Sequence, residues 1–251
     1  MRRILIILAT LLVSTAMFAG TLIVSGDSNI GNGIDGSFGA PMPADNGLFF
    51  TNILGTGTKV VQQNGYSSGS TGLAENAIFN LYNSLAGVSI TAVSSSFTAT
   101  DLAGANLFIS ILPETGYTTS QLAAMGSFLG GGGTLFLIGE NADTEFTAIN
   151  GYLNTALTTL GSGMAINPAM LDCGSLRAAT GGQIANQPLN AGVSSFDYSC
   201  ASGVTGGTAL YYASDGTSFV AFQSIPEPAS LFLYGSGLLI LASAIRRRMR
   251  R

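Results

Sequence analysis

The chain has 251 residues, 47% hydrophobic and only 9% charged, with 34 glycines, no histidine and no tryptophan. Without histidine there is no Ser-His-Asp or Cys-His nucleophilic machinery, no histidine general base and no His-ligated zinc, and two cysteines cannot build a four-thiolate metal site. Seven of the nine basic residues lie in the first three or last six positions, so residues 20–225 hold twelve acids against Lys59 and Arg177, a formal charge of −10; such a body cannot neutralise a phosphate backbone, which excludes nucleic acid as a partner.

In chain order, Met1-Arg2-Arg3 is a short positive segment, Ile4 to Val13 is apolar, and Ser14 to Ala19 is small. It ends in the cleavage-type tripeptides Ser14-Thr15-Ala16 or Met17-Phe18-Ala19. This is the layout of a secretory signal peptide, so residues 1–19 are expected to be removed on export into an oxidising compartment. Thr21 to Ser25 is a continuously apolar run that closes at Gly26-Asp27. Asp27, Asn29, Asn32 and Asp35 then lie in a Gly-rich stretch with two readings, a flexible surface loop or an oxygen-ligand site for Ca²⁺. The spacing fails the EF-hand pattern, with Asn32 in the glycine position and Phe38 in that of the bidentate glutamate.

Lys59 to Gln63 and Val88 to Val93 are strand candidates, and Leu73 to Ala86 carries Ala77, Ile78, Leu81 and Leu85 on one helical face. Leu107 to Leu112 is a buried-strand run stopped by Pro113. Thr118 to Leu129 reads as a helix with a Thr118/Gln121 capping box, halted at Gly130 to Gly133. Thr134 to Ile138 is a further strand, closing at Gly139-Glu140-Asn141, and Thr144 to Leu160 places Phe146, Ile149, Leu153, Ala156, Leu157 and Leu160 on one face. From Ala165 the helical period fades; Ser195 to Tyr198, Ala209 to Tyr212 and Phe219 to Phe222 are short strands that extend or cap the sheet. Continuous apolar strands alternating with amphipathic helices predict a single α/β domain over residues 20–225, a doubly wound, mostly parallel sheet with helices on both faces.

Open sheets of this class bind ligands at strand carboxyl ends, so Asp27, Asn29 and Asp35 could line one acidic crevice with Glu140, Asn141 and Asp143. Cys173 and Cys200, the only thiols of an exported chain, are expected to form a disulfide closing a loop of 28 residues. Tyr66, Tyr117, Tyr198, Tyr211 and Tyr212 offer an aromatic face for a polysaccharide, or are ordinary half-buried strand residues. No cofactor and no metal site is called for by these residues.

Four stretches of the body resemble the glutamine-amidotransferase-like α/β families in their non-catalytic, flavodoxin-like form: residues 22–29 (LIVSGDSN), 101–141, 149–166 and 187–198. The resemblance implies fold and not activity, because the turn after TLFLI reads Gly139-Glu140-Asn141 where catalytic members place a cysteine. Gly26-Asp27-Ser28 and Gly139-Glu140-Asn141 also resemble two blocks of SGNH-type hydrolases. That likeness would make Ser28 the nucleophile and Asn141 an oxyanion donor, but the family's Asp-x-x-His pair has no counterpart here.

At the other end, Ile225-Pro226-Glu227-Pro228 is a stiff extended segment, Ala229 to Ile245 is an uncharged apolar run of 17 residues, and Arg246, Arg247, Arg248, Arg250 and Arg251 follow. Seventeen residues at ~1.5 Å each is the short limit for crossing a membrane, with the Arg cluster on the cytoplasmic side. Residues 226–251 resemble a PEP-CTERM sorting signal. The resemblance implies recognition of Pro226, Glu227 and Pro228 by an exosortase-type membrane enzyme, transient anchoring by residues 229–245, and release to the cell surface or extracellular matrix of a bacterium that makes exopolysaccharide. The expectation is a non-enzymatic exported envelope or matrix protein; the alternatives are a polysaccharide- or Ca²⁺-binding surface module and a degenerate SGNH-like hydrolase.

Overall fold

A computed structural model of the chain describes residues 20–31, 42–66, 70–174 and 176–225. The expected signal peptide, Asn32, Asp35 and the whole of 226–251 lie outside these residues. Among the described residues no helix is long and apolar enough to cross a membrane.

The five strands expected before residue 140 form the parallel part of the main sheet. They are β1 (Gly20–Ser25), β2 (Lys59–Gln63), β3 (Ser89–Val93), β4 (Leu107–Ile111) and β5 (Thr134–Ile138), all mutually parallel in the order β1-β5-β4-β2-β3. Their side chains alternate between two cores with the period of two that a pleated strand imposes. Ile23, Ile109 and Phe136 enter one core; Leu22, Phe108 and Leu135 enter the other.

The helices close both faces. On the first core lie α1 (Ala44–Leu54), through Phe49, Phe50 and Ile53, and α2 (Ser70–Ser84), through Ile78 and Tyr82. On the second lie α3 (Ala99–Leu102), α4 (Thr119–Gly130) and most of α5 (Thr144–Thr159), through Leu102, Met125, Leu129, Leu153 and Leu157. The chain runs outward from β1 to β3 with its helices on one face, then returns through β4 and β5 with its helices on the other. A right-handed crossover demands this when the direction of winding reverses.

The molecule is thus α/β with a mostly parallel, doubly wound sheet. Its strand order differs from the 2-1-3-4-5 order of flavodoxin-like sheets, because the chain leaves β1 across two later strands before β2 is laid down. The Thr118/Gln121 capping box of α4 forms as read from sequence, Thr118 Oγ1 accepting from the Gln121 amide at 3.3 Å.

Helix α1 was not legible. Its first turn is Ala44-Asp45-Asn46-Gly47, residues that favour turns. Tertiary contacts hold it: Asp45 Oδ2 accepts from Ser194 N (2.9 Å), Ser194 Oγ (2.7 Å) and Ser195 N (2.9 Å), and buried Asn46 donates to Ile30 O and Asp197 O, both at 2.9 Å.

The C-terminal part both extends the sheet and covers it. Strand β11 (Ser218–Ile225) runs antiparallel beside β1 along its full length, and β10 (Thr208–Tyr212) pairs outside β11. Two separate antiparallel ribbons, β6 (Ala165–Leu171) with β9 (Ala201–Thr205) and β7 (Arg177–Thr180) with β8 (Ser195–Tyr198), complete the fold. Residues 195–198 therefore lie in a ribbon and not in the main sheet.

Of the two readings of the tyrosines, that of strand residues packed into the core holds for Tyr198 and Tyr211. Tyr198 and Tyr211 are buried, stacked on Phe219 (centroids 4.3 Å) and Phe196 (3.7 Å) respectively, so their rings fill core volume. Tyr117 shares a hydrogen bond with Ser110 Oγ (2.5 Å), and Tyr66 donates to Glu145 Oε2 at 2.9 Å.

Candidate functional site

The β1–β5 register sets Ser25 beside Ile138, with the Gly139 amide donating to Ser25 O at 2.8 Å. Continued past the strand ends, that register brings Gly26-Asp27-Ser28 alongside Gly139-Glu140-Asn141. Two acids more than a hundred residues apart in sequence thus meet at the carboxyl ends of neighbouring parallel strands. This is also the topological switch point, since the chain leaves β1 over one face and β5 over the other.

The glycines are required by packing. A Cβ at Gly26 would collide with the Ser202 carbonyl, and one at Gly139 would lie 2.5 Å from Asn150 Oδ1.

Both carboxyl groups are buried: Asp27 is 0% exposed, Ser28 1% and Glu140 2%. Glu140 Oε2 accepts from the Ser28 amide (3.2 Å) and the Ser28 hydroxyl, while Oε1 accepts from Asn141 N (3.0 Å) and Asn141 Nδ2 (3.2 Å). Asp27 Oδ1 accepts from Asn29 N (2.7 Å) and Asn29 Nδ2 (2.9 Å), and Oδ2 accepts from the Ser199 amide at 2.7 Å. Lys59 and Arg177 are the basic residues among those described, and neither hydrogen-bonds to the pair; Lys59 Nζ is spent on Ala103 O at 2.6 Å.

Two buried acids without a cation strongly resist ionising together. Burial pushes Asp27 up to about 7, against the pull of its three amide donors. Burial, reinforced by the charge of Asp27, pushes Glu140 up to about 8. Near neutral pH the pair therefore holds a proton. When that proton sits on Glu140, the hydroxyl bond reverses and the carboxylic acid donates to Ser28 Oγ.

Sequence reasoning missed two supports of this pair. Asn150 of α5 accepts from the Glu140 amide (3.2 Å) and donates to Glu140 O (2.7 Å). Its signal was available: an asparagine on the apolar stripe Phe146-Ile149-Leu153. Ser199 had no signal except the neighbouring Cys200. The turn Ser199-Cys200 covers the pair, with the Ser202 amide donating to Gly26 O at 2.8 Å.

Cys200, at a left-handed φ of 52°, is joined to Cys173 in the expected disulfide. This bond ties the covering turn to the end of β6. Its sequence separation of 27 gives it about 3.6 kcal/mol in the chain-entropy description. Replacing both Cys173 and Cys200 by serine is expected to remove that amount in urea unfolding, and reduction of the native protein should reproduce the loss.

The outcome corrects three expectations. Residues 27–31 are not an exposed loop: Asp27, Ser28, Ile30 and Gly31 are buried, because Ser199 bonds to Asp27 and Asn29 while Gly31 packs against Ala74 and Ile78 of α2. Asp27, Glu140 and Asn141 do meet, but in a closed site and not an open crevice, and Asp143 caps α5 through the Thr144 amide (2.6 Å). Asn141 is no oxyanion donor, since its amide and side-chain N–H groups both serve Glu140. Among the described residues no group of three or more cysteines and acids is placed to hold a metal ion. An open groove of about 620 Å³, lined by Ile184, Pro188, Asn190 and Val193, is built from a different part of the chain.

In comparisons with known proteins, the sequence matches no family model and no curated protein. Among solved structures, the mmIFT52 N-terminal domain is similar at 16% identity and a TM-score of 0.44, over 64% of this chain and 78% of that one.

Proposed function

We propose that this chain is an exported envelope or matrix module without catalytic activity, delivered by an N-terminal signal peptide and sorted through its C-terminal Pro-Glu-Pro, apolar and Arg-rich segments. The observation that carries the non-catalytic reading is the inward commitment of the Ser28–Glu140–Asn141 group. A working nucleophile needs an open face and a base free to take its proton. Here Ser28 is 1% exposed and Glu140 accepts from four donors of its own chain. The Cys173–Cys200 disulfide supports an oxidising destination. The sorting element rests on the sequence of residues 226–251.

The test is the intact mass of the protein recovered from its host, fraction by fraction. The expected species starts at or near Gly20, lacks the apolar run and the Arg cluster, is found outside the membrane, and is two hydrogens lighter than its reduced form. A species that keeps residues 229–251 in a host possessing the sorting enzyme would overturn the sorting reading. Ester hydrolysis abolished by Ser28→Ala would overturn the non-catalytic one.

A further inference from the structure

The two edges of the seven-stranded sheet are treated differently. Beyond β10, the Ala185 amide donates to Leu210 O at 2.9 Å and Ile184 bridges Tyr211, so that edge is covered. At the opposite edge nothing among the described residues pairs with the outer side of β3.

The inner side of β3 is fixed by its ladder to β2. The Ser89 amide donates to Thr58 O at 2.8 Å, and Val93 O accepts from the Asn64 amide at 3.4 Å. Because backbone groups alternate along a strand, Ser89, Thr91 and Val93 face β2, and Ile90 and Ala92 direct their N–H and C=O groups outward. Exposed strand edges are normally guarded by charge, proline or a bulge. Here Ser89, Thr91 and Ala92 are exposed, the β2–β3 register is unbroken, and no charged residue occurs from Asn76 to Thr100, on a body of formal charge −10.

We infer that β3 is a self-association edge, whose occupant is β3 of a second copy of this chain, antiparallel about a twofold axis through Thr91. In that register Ile90 of each copy faces Ala92 of the other. The four outward groups per strand then make four hydrogen bonds, an isologous arrangement that uses every one of them. Thr91 meets its symmetry mate as a non-hydrogen-bonded pair, with Cβ atoms about 5 Å apart, a favourable Thr–Thr contact. The charge-free edge explains why a second copy of the same acidic molecule is the occupant. No carboxylate of this stretch faces its own image, whereas a basic partner would find no acid here to pair with. The inference does not depend on the sorting or non-catalytic readings.

The test is cross-linking of the full chain. Thr91→Cys should give a covalent dimer on mild oxidation, because only the axial position sets two sulfurs at bonding distance. Thr100→Cys, also exposed, serves as the random-collision control. Adding Ala92→Pro to Thr91→Cys removes an outward N–H at a position where an edge strand tolerates proline, and should reduce the dimer yield at least tenfold, with unfolding by urea unchanged. Thr91→Lys, which leaves the backbone intact and sets two like charges on the axis, should abolish concentration-dependent mass in sedimentation. Raising salt should strengthen the wild-type dimer by screening the acidic bodies. A Thr91→Cys yield no greater than that of Thr100→Cys would overturn the inference. So would a yield indifferent to Ala92→Pro, or a wild-type chain monomeric up to about 1 mM.

Discussion

Phe49→Ala is expected to lower the unfolding free energy by about 4 kcal/mol, the upper part of the range for deleting a buried ring. Phe49 is fully buried on α1 and sits edge-on to Phe50 (5.7 Å), Phe136 (6.0 Å), Phe196 (5.3 Å) and Tyr211 (5.3 Å). These rings come from α1, β5, β8 and β10, so their backbones are held apart by sheet hydrogen bonds and cannot collapse into the space left behind. Phe49→Leu keeps most of the volume and should cost roughly a third as much. Urea unfolding at constant m-value measures both. A loss under about 2 kcal/mol for Phe49→Ala would mean that the site relaxes and that this cluster is not the joint between helix layer and C-terminal strands. The consequence reaches the acid pair: Phe196 leads through Tyr198 to Ser199, whose amide holds Asp27.

Stability is expected to fall as pH rises from about 4 to about 8, opposite to the usual acid denaturation. The sign follows from the proton count. Asp27 rises from 3.8 to about 7 and Glu140 from 4.5 to about 8 on folding, so across this window the folded chain keeps protons that the unfolded chain has released. Their contribution is fully present below pH about 4 and is lost as pH climbs through the folded values. Each acid contributes to the fall, so for the pair together the loss across the window amounts to several kcal/mol. Glu75, raised first of all by burial, adds in the same direction. Asp45, held down by its bonds to Ser194 and Ser195, acts in the opposite sense and only in acid.

The measurement is urea unfolding of the oxidised protein at intervals from pH 4 to 8. Glu140→Gln should about halve the slope. Its own cost, an amide N–H facing the donors of Ser28 or Asn141, shifts the curve without changing the slope. Wild-type stability that is flat or rising across the window would show the pair to be solvated and ionised.

The sequence determined by itself the strands β1 to β5, the helices α2, α4 and α5, the α4 cap and the separation of an acidic body from its basic ends. Each of these rests on local periodicity or on a side chain meeting its own backbone. The candidate site was half legible. Gly26-Asp27-Ser28 and Gly139-Glu140-Asn141 each read as a turn after a strand, because glycine and short polar residues carry turn geometry locally. Whether the two turns meet depends on strand order, and the crossing of β1 past two later strands leaves no mark in either segment.

Tertiary structure alone decided that they lie side by side, and alone buried them. The covering turn comes from Ser199 and Cys200, and α1 is held as a helix by Ser194, Ser195 and Asp197. In both cases the deciding bond joins groups about 150 residues or more apart in the chain. A carboxylate that would be a solvated surface acid in an isolated turn becomes, under that cover, a group that keeps its proton, because burial removes the water that would stabilise its charge.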